Sequence, residues 1–243
     1  MYPRVPTDYP PVEQHSSIEE LFPDLFMVQG SIRPGPGMRI NRNMVVVRRR
    51  GELTIVNAVR LAPEEESSLE SLGTVRHVVR LGYFHGLDDR YYVDRYSAKF
   101  WCQASSDLYP EPRPDHALRE KAALPIDEAE LFVFRKTKYP ECALLLAQDG
   151  GVLVTCDSVQ HWVDWHYCNL PAKIVLKLAG FSLTTLIGPF WRKRMTPEGG
   201  SLRSDFERLC ELEFEHLIGA HGRLCQGSAR ENVRSAMLHA FST

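Results

Sequence analysis

Histidine and aspartate side chains follow three apolar stretches of the sequence, at points where a strand would give way to a polar loop. These stretches end near positions 81, 155 and 218. The side chains with metal-binding chemistry beyond them are His85, Asp88, Asp89, Asp157 and His221. Strand ends place such groups on rigid supports, and two imidazoles with two or three carboxylates form a donor set that suits Zn, Fe or Mn. The sequence therefore predicts a metal site built from these residues or a subset of them.

Each of these residues also has a purely structural explanation when it is considered singly. Asp157 could cap a following helix, Asp88 and Asp89 could cap a helix that begins near Arg90, and His221 could be an ordinary loop histidine. Considered together they favour a site, because a carboxylate at the inner end of an apolar strand is costly to desolvate unless it is paired or bound to metal.

His161 is a weaker candidate ligand that enters through its spacing from two acids. Asp157, His161 and Asp164 are spaced so that a helix over this segment would place all three on one face. The alternative, which the sequence favours, is that His161 belongs with Trp162 and Trp165 to an aromatic surface over the pocket. The sequence contains no nucleophile elbow and no phosphate-binding glycine loop, so it leaves the catalytic residues undefined.

The elements that must position these side chains are short strands and helices. Strands are predicted at 25–28, 44–47, 53–56, 75–81, 100–102, 131–134, 142–147, 152–155 and 217–218. Helices are predicted at 63–73, 90–96, 202–212 and 229–241. Two groups of strands, each followed by helices, predict two sheets packed together with helices outside them.

Charge and composition exclude several classes of protein. The chain of 243 residues has 29 Lys and Arg against 31 Asp and Glu, and 44% of its residues are hydrophobic. These are the proportions of a globular protein, and the balanced charge provides no chain-wide attraction to nucleic acid. No nucleic-acid partner is expected, and the basic run at 48–50 is expected to form the tip of a hairpin.

Six cysteines are spread along the chain without a closely spaced pair. This spacing lacks the Cys-x-x-Cys pairs of zinc knuckles and thiol redox motifs, so free, mostly buried thiols are expected. The N-terminal residues contain no apolar stretch of the signal-peptide type. Together these features predict a cytoplasmic protein.

The longest apolar stretch of the sequence runs from position 170 to position 191. Two prolines, two lysines and two glycines interrupt it, so no transmembrane segment is expected. One interpretation is an apolar helical lid over the pocket, with the basic run 192–194 at its rim. The alternatives are a helical pair in the core, a homodimer interface through residues 170–191, and an interaction surface for a membrane or a partner.

The order of the elements and two motifs resemble the metallo-β-lactamase fold superfamily. Residues 152–158 resemble the family's apolar strand ending in Gly-Asp, and residues 215–222 resemble its final Gly-His-Gly loop. The resemblance covers residues 21–240. It implies an α/β protein of the αββα sandwich type, in which two mixed sheets pack face to face with helices on the outer faces. It also implies a single domain over 21–243, after an N-terminal arm of residues 1–20, with a helical lid insertion around 169–195.

The family's dinuclear metal motif, His-x-His-x-Asp-His, is incomplete in this sequence. With His85 as the first histidine, Leu87 and Arg90 stand at the second and last histidine positions. With His85 as the second, Tyr83 stands at the first. The segment 136–141, where the family places another histidine, contains none. The full dinuclear site is therefore not expected.

The resemblance then implies a metal-dependent hydrolase with a reduced site and a substrate that the sequence does not define. At most one Zn, Fe or Mn ion would be held, by His85 with Asp88 or Asp89 and by Asp157 and His221. The alternative is a noncatalytic, metal-free member of the fold that acts as a small-molecule binder or scaffold.

Overall fold

The computed structural model describes residues 9–103 and 111–242. The first eight residues of the predicted arm lie outside these ranges. Residues 9–18 lie along the body of the protein. The Tyr9 hydroxyl donates a hydrogen bond to Asp94 at 2.5 Å, and His15 Nε2 accepts one from the Ala62 N–H at 2.8 Å.

The larger of the two main sheets has seven strands, which lie across it in chain order. They are β1 (Glu19–Phe22), β2 (Leu25–Gly35), β3 (Met38–Arg49), β4 (Glu52–Val56), β5 (Thr74–Val79), β6 (Lys99–Cys102) and β7 (His116–Ala117). β1 to β4 pair antiparallel and β4 to β7 pair parallel. Parallel neighbours need a crossover, which α1 (Pro63–Leu72) provides between β4 and β5, and α2 (Asp89–Tyr96) between β5 and β6.

The second sheet has five strands in the spatial order β14, β13, β10, β9, β8. They are β8 (Ala129–Val133), β9 (Cys142–Leu146), β10 (Val152–Val154), β13 (His216–Ile218) and β14 (Leu224–Cys225). β11 (Val159–His161) and β12 (Thr185–Ile187) form a separate antiparallel pair. The remaining helices are α3 (Leu170–Leu178), α4 (Pro189–Met195), α5 (Arg203–Leu209) and α6 (Ala229–Ala240). None of the helices in the described ranges combines the length and apolar character needed to cross a membrane.

Alternate side chains of the strands divide between the layers of the core, as the period of a strand requires. In β3, Val45 packs between the two main sheets and Met44 packs on the outer face; in β10, Val152 and Leu153 divide in the same way. α1 and α2 cover the outer face of the seven-stranded sheet, and α4, α5 and α6 cover that of the five-stranded sheet. This arrangement is an αββα sandwich, which confirms the predicted fold class.

Three segments differ from the sequence-based expectations. β2 and β3 are much longer than predicted, because polar residues that suggested loops are buried within them. The segment around His161, where a helix would have placed Asp157, His161 and Asp164 on one face, is strand β11, which pairs with β12. The apolar stretch 170–191 is not continuously helical either, since β12 lies between α3 and α4.

Candidate metal centre

Three side chains converge at one edge of the sandwich. His221 Nε2 lies 3.0 Å from Asp157 Oδ1, and His85 Nε2 lies 3.5 Å from Asp157 Oδ2. The two Nε2 atoms are 3.4 Å apart. Each residue offers one ligand atom to a common point, and in the described part of the chain this is the one such group of three or more.

The parallel pairing of β10 with β13 brings Asp157 and His221 together. Val154 and Ile218 are partners at the ends of these strands, and each candidate ligand follows its strand end by three residues. Because parallel strands end at the same edge of a sheet, the two loops meet there. His85 arrives from the other sheet, in the loop between β5 and α2.

A hydrogen bond from the ring fixes the orientation of His221. His221 Nδ1 lies 2.5 Å from the Asn41 carbonyl oxygen, which can only accept, so Nδ1 carries the proton. In the neutral ring the lone pair is then on Nε2, which faces Asp157 and His85. The Trp162 ring lies parallel to the imidazole, with centroids 6.3 Å apart and planes 11° apart.

These donor atoms fit a metal ion. A neutral His221 presents its Nε2 lone pair to a carboxylate oxygen 3.0 Å away, a repulsive contact that either a proton or a cation must relieve. Ligand atoms about 2.0–2.2 Å from one tetrahedral zinc ion lie about 3.3–3.6 Å from one another. The two Nε2 atoms are 3.4 Å apart, and one ligand atom from each of the three residues lies within 4.8 Å of the others. Backbone support of the distal imidazole nitrogen is also typical of metal-binding histidines.

Asp157 is an ionised carboxylate in this setting. Burial raises its pKa, but the charge of His85 and the hydrogen bonds from His221 and His85 outweigh burial and hold the pKa well below the ordinary value. The carboxylate therefore carries its charge at neutral pH. A metal ligand must be deprotonated, so the carboxylate is ready for a cation, which would replace the protons through which the two imidazoles contact it.

Asp88 and Asp89 form buried ion pairs outside the group of three. Asp88 pairs with Arg42 and also accepts the Arg60 N–H at 3.0 Å. Asp89 Oδ2 lies 2.7 Å from Arg80 Nε, and both side chains are almost fully buried. These pairs hold both ends of the turn that follows His85. The structure therefore brings together His85, Asp157 and His221 and engages the two acids with arginines instead.

His161 also lies outside the group. Its Nδ1 contacts the Thr185 hydroxyl at 2.8 Å, across the β11–β12 pair. Its ring and the side chain of Asn232 help to lower the pKa of the Cys225 thiol, although burial of that thiol acts in the opposite direction. In the described structure His161 therefore contacts Thr185 and the Cys225 thiol.

Buried amides of β2 and β3 hold the loop that carries His221, and sequence reasoning missed them. Gly222 N–H donates to Asn41 Oδ1 at 2.6 Å, and Asn43 Nδ2 donates to the carbonyl oxygens of Gly219 and Gly222. Gln29 Nε2 also donates to the Gly222 carbonyl at 3.0 Å. The polar run 41–43 within an apolar strand was the available signal, but partners about 180 positions away could not be inferred from spacing.

Glu141 is a buried carboxyl behind the candidate ligands. Its Oε1 accepts the Ser158 N–H at 3.2 Å, and a Cβ at Gly82 would approach Oε2 to 2.5 Å. Burial, and after it the charge of Asp157, raise the pKa of Glu141 well above its ordinary value. Its contacts brace the loops that carry His85 and Asp157.

An apolar cavity of about 310 Å³ opens beside the candidate ligands. Asp157 and His221 form part of its wall, and Gln160 and Arg194 are its other polar contributors. Its apolar lining includes Met38, Ile40, Phe84, Trp162, Phe181 and Phe190. Such a cavity suits a ligand with an apolar body and one polar or anionic group.

Gly222 is the glycine on which the His221 loop depends. Its φ is +87°, and an added Cβ would lie 2.0 Å from the His161 carbonyl oxygen. We expect Gly222→Ala to lower the free energy of unfolding by about 2–4 kcal/mol, because left-handed strain and a backbone clash add. Urea unfolding measures this loss. The control is Gly37→Ala, since Gly37 has φ +71° and open space at Cβ, so an equal loss in both variants would contradict the clash.

The fold is similar to that of solved metallo-β-lactamases. FIM-1 from Pseudomonas aeruginosa, in its mono-zinc form, superposes with a TM-score of 0.66 at 10% identity, over 95% of this chain and 98% of that one. DIM-1 gives 0.62 at 14% identity, over 96% and 100%, and a metallo-β-lactamase from Pontibacter korlensis gives 0.59 at 11%, over 92% and 99%.

Comparisons of the amino-acid sequence alone, by contrast, give no match. No protein-family model matches the chain, and no curated protein matches it. The assignment therefore depends on three-dimensional similarity over nearly the whole length of both chains, together with the two sheets and their outer helices. On this evidence the chain has the metallo-β-lactamase fold.

Proposed function

We propose that the protein is a metal-dependent hydrolase with a mononuclear site, in which His85, Asp157 and His221 hold one metal ion. The observation that carries the proposal is the convergence of one donor atom from each of these residues, all within 4.8 Å of one another, beside the apolar cavity. Two imidazoles and a carboxylate are a donor set of catalytic zinc sites and also of iron(II) sites. FIM-1 supports the proposal, because a protein of this fold was solved with a single zinc.

Other residues of this chain orient a metal ligand and shape the substrate site. When bound, such an ion supplies Lewis acidity, which activates water and polarises the substrate's carbonyl or phosphoryl oxygen. The Asn41 carbonyl keeps the proton of His221 on Nδ1, so Nε2 stays free to bind. The cavity wall excludes bulk water from the apolar part of the substrate, and Arg194 offers a positive charge to an anionic group.

The experiment measures metal content, stability and turnover together. Protein purified without chelator is expected to carry about one Zn, Fe or Mn ion per chain. Excess metal at about 100 times its Kd should raise the free energy of unfolding of the metal-free protein by about 2.7 kcal/mol. Hydrolysis should be sought with ester, thioester, lactam and phosphoester substrates, with chelation and metal replacement as controls. Absence of bound metal, stabilisation and turnover with all three ions would contradict the proposal.

A metal-free binder or scaffold is the second candidate, and one observation favours it. Arginines pair with Asp88 and Asp89, the carboxylates nearest to the family's metal motif, so the loop after His85 is already neutralised without metal. In that case protons would satisfy the three converging donors. The same metal titration separates the candidates. The six free cysteines are compatible with the cytoplasmic location that we propose for either one.

A further inference from the structure

We propose that the protein docks on anionic lipid surfaces through the outer side of α3 and the segment that follows it. This docking face consists of apolar and basic side chains, all of them exposed except Lys173, which is half-buried. They are Leu170, Lys173, Ile174, Lys177, Leu178, Leu183, Phe190, Lys193 and Arg194. The inference concerns where the protein acts and does not require that it bind metal.

The apolar half of the docking face lies along one side of α3. Leu170, Ile174 and Leu178 follow one another at intervals of four, and their exposed fractions are 71%, 51% and 85%. The opposite side of the helix is anchored by Ala172 and Leu176, which pack in a core cluster. A helix that is apolar on its anchored side and again on its solvent side calls for a second apolar environment.

The basic half of the docking face has no compensating acid nearby in sequence. Residues 165–197 include five Lys and Arg and no Asp or Glu. Lys173, Lys177, Lys193 and Arg194 form no ion pair with any residue in the described ranges. Lysines beside an exposed apolar stripe are typical of helices that lie in a membrane interface and attract anionic headgroups.

A second copy of the chain is a poorer occupant of this face than a lipid surface. In a twofold dimer the same patch meets itself. The lysines of α3 would then approach the lysines of the other copy, with no acid in residues 165–197 to separate them. An anionic surface removes this repulsion and also covers the leucines.

The apolar cavity opens within the docking face. Val175 and Phe190 line the cavity and are also exposed, at 38% and 48%. Arg194 lines it as well and lies over the Phe84 ring. On a lipid surface the cavity mouth would therefore face acyl chains, and its rim would face headgroups.

Vesicle flotation tests the proposal. The full-length protein should float with vesicles of phosphatidylcholine mixed with phosphatidylglycerol, weakly with pure phosphatidylcholine, and less as salt rises. Lys173→Glu with Lys177→Glu should lower the affinity for anionic vesicles by more than about tenfold, because each basic residue contributes about fivefold. Leu170→Ser with Leu178→Ser should also lower this affinity, because the variant has less apolar surface to bury in the lipid. Both leucines are largely solvent-exposed, so the fold does not depend on them.

Matched controls keep the outcome specific. Leu238→Ser on α6 removes a leucine that is 56% exposed, and Arg50→Glu reverses a charge at a distant hairpin, so both should float as the wild type does. Asp157→Asn should float normally, which separates this proposal from the metal site. Failure to bind anionic vesicles would overturn the proposal. So would binding that survives both double variants, or a dimer that forms through this face and does not bind vesicles.

Discussion

Asp157→Asn is expected to lower the affinity of the protein for zinc by more than about 100-fold. Even residues that only support a metal ligand cost about 10–100-fold when they are replaced, and Asp157 would be a ligand with the one negative charge of the group. The change is nearly isosteric, but the amide nitrogen would face an imidazole and the attraction of the carboxylate for the cation would be lost. Competition with a chromogenic zinc chelator measures the Kd directly.

The control for this variant is another carboxylate, Asp164. Asp164→Asn removes an exposed carboxylate that pairs with Arg223, and it should leave the zinc affinity unchanged. His221→Ala should lose zinc as Asp157→Asn does, because the two side chains would share one ion. Unaltered zinc binding in both Asp157→Asn and His221→Ala would show that these residues form a hydrogen-bonded cluster and nothing more.

The strand-end rule explains why much of the candidate site could be predicted from the sequence. Asp157 and His221 each follow a short apolar stretch, and their parallel strands place both at one edge. His85 follows an apolar strand in the same way, although the loop that carries it is longer. The ends of the predicted strands sufficed to identify these three, although side chains from other elements hold two of their loops.

The partners of Asp88 and Asp89 could not be predicted in this way. Arg42 lies 46 positions from Asp88, on the part of β3 that precedes the predicted strand 44–47. Whether an acid faces a metal or an arginine depends on the register between β3, β5 and the following loop, and one sequence does not contain that register. The same reason applies to the β2 and β3 amides, which are buried because they complete the hydrogen bonds of a distant loop.

The two ion pairs give the loop after His85 a structural explanation. Arg42 binds Asp88 from β3, while Arg80 binds Asp89 from the end of β5. Gly86 lies against the second of these arginines, since an added Cβ would meet Arg80 Nε at 2.4 Å. Asp88 and Asp89, which the sequence predicted as candidate metal ligands, therefore clamp the loop that presents His85.

Asp89→Asn is expected to destabilise the protein by about 3–5 kcal/mol while changing its zinc affinity by less than about tenfold. The substitution removes the carboxylate that pairs with the Arg80 guanidinium, which is only 3% exposed, and removing one partner of a buried ion pair costs about that much. For a chain of this length the melting temperature should fall by about 10 °C. Thermal unfolding of the metal-free protein and a zinc titration measure the two quantities separately.

A double variant shows whether the lost charge pair is the cause. Arg80→Met with Asp89→Asn removes both charges, so it should recover most of the stability that Asp89→Asn alone loses, and the coupling appears in a double-mutant cycle. If Asp89→Asn instead kept its melting temperature and lost zinc by more than 100-fold, Asp89 would be a metal ligand. That result would agree with the sequence analysis, in which Asp89 is a candidate metal ligand. Because Asp157→Asn should give the opposite pattern, the two variants together separate a carboxylate that binds the ion from one that holds the loop.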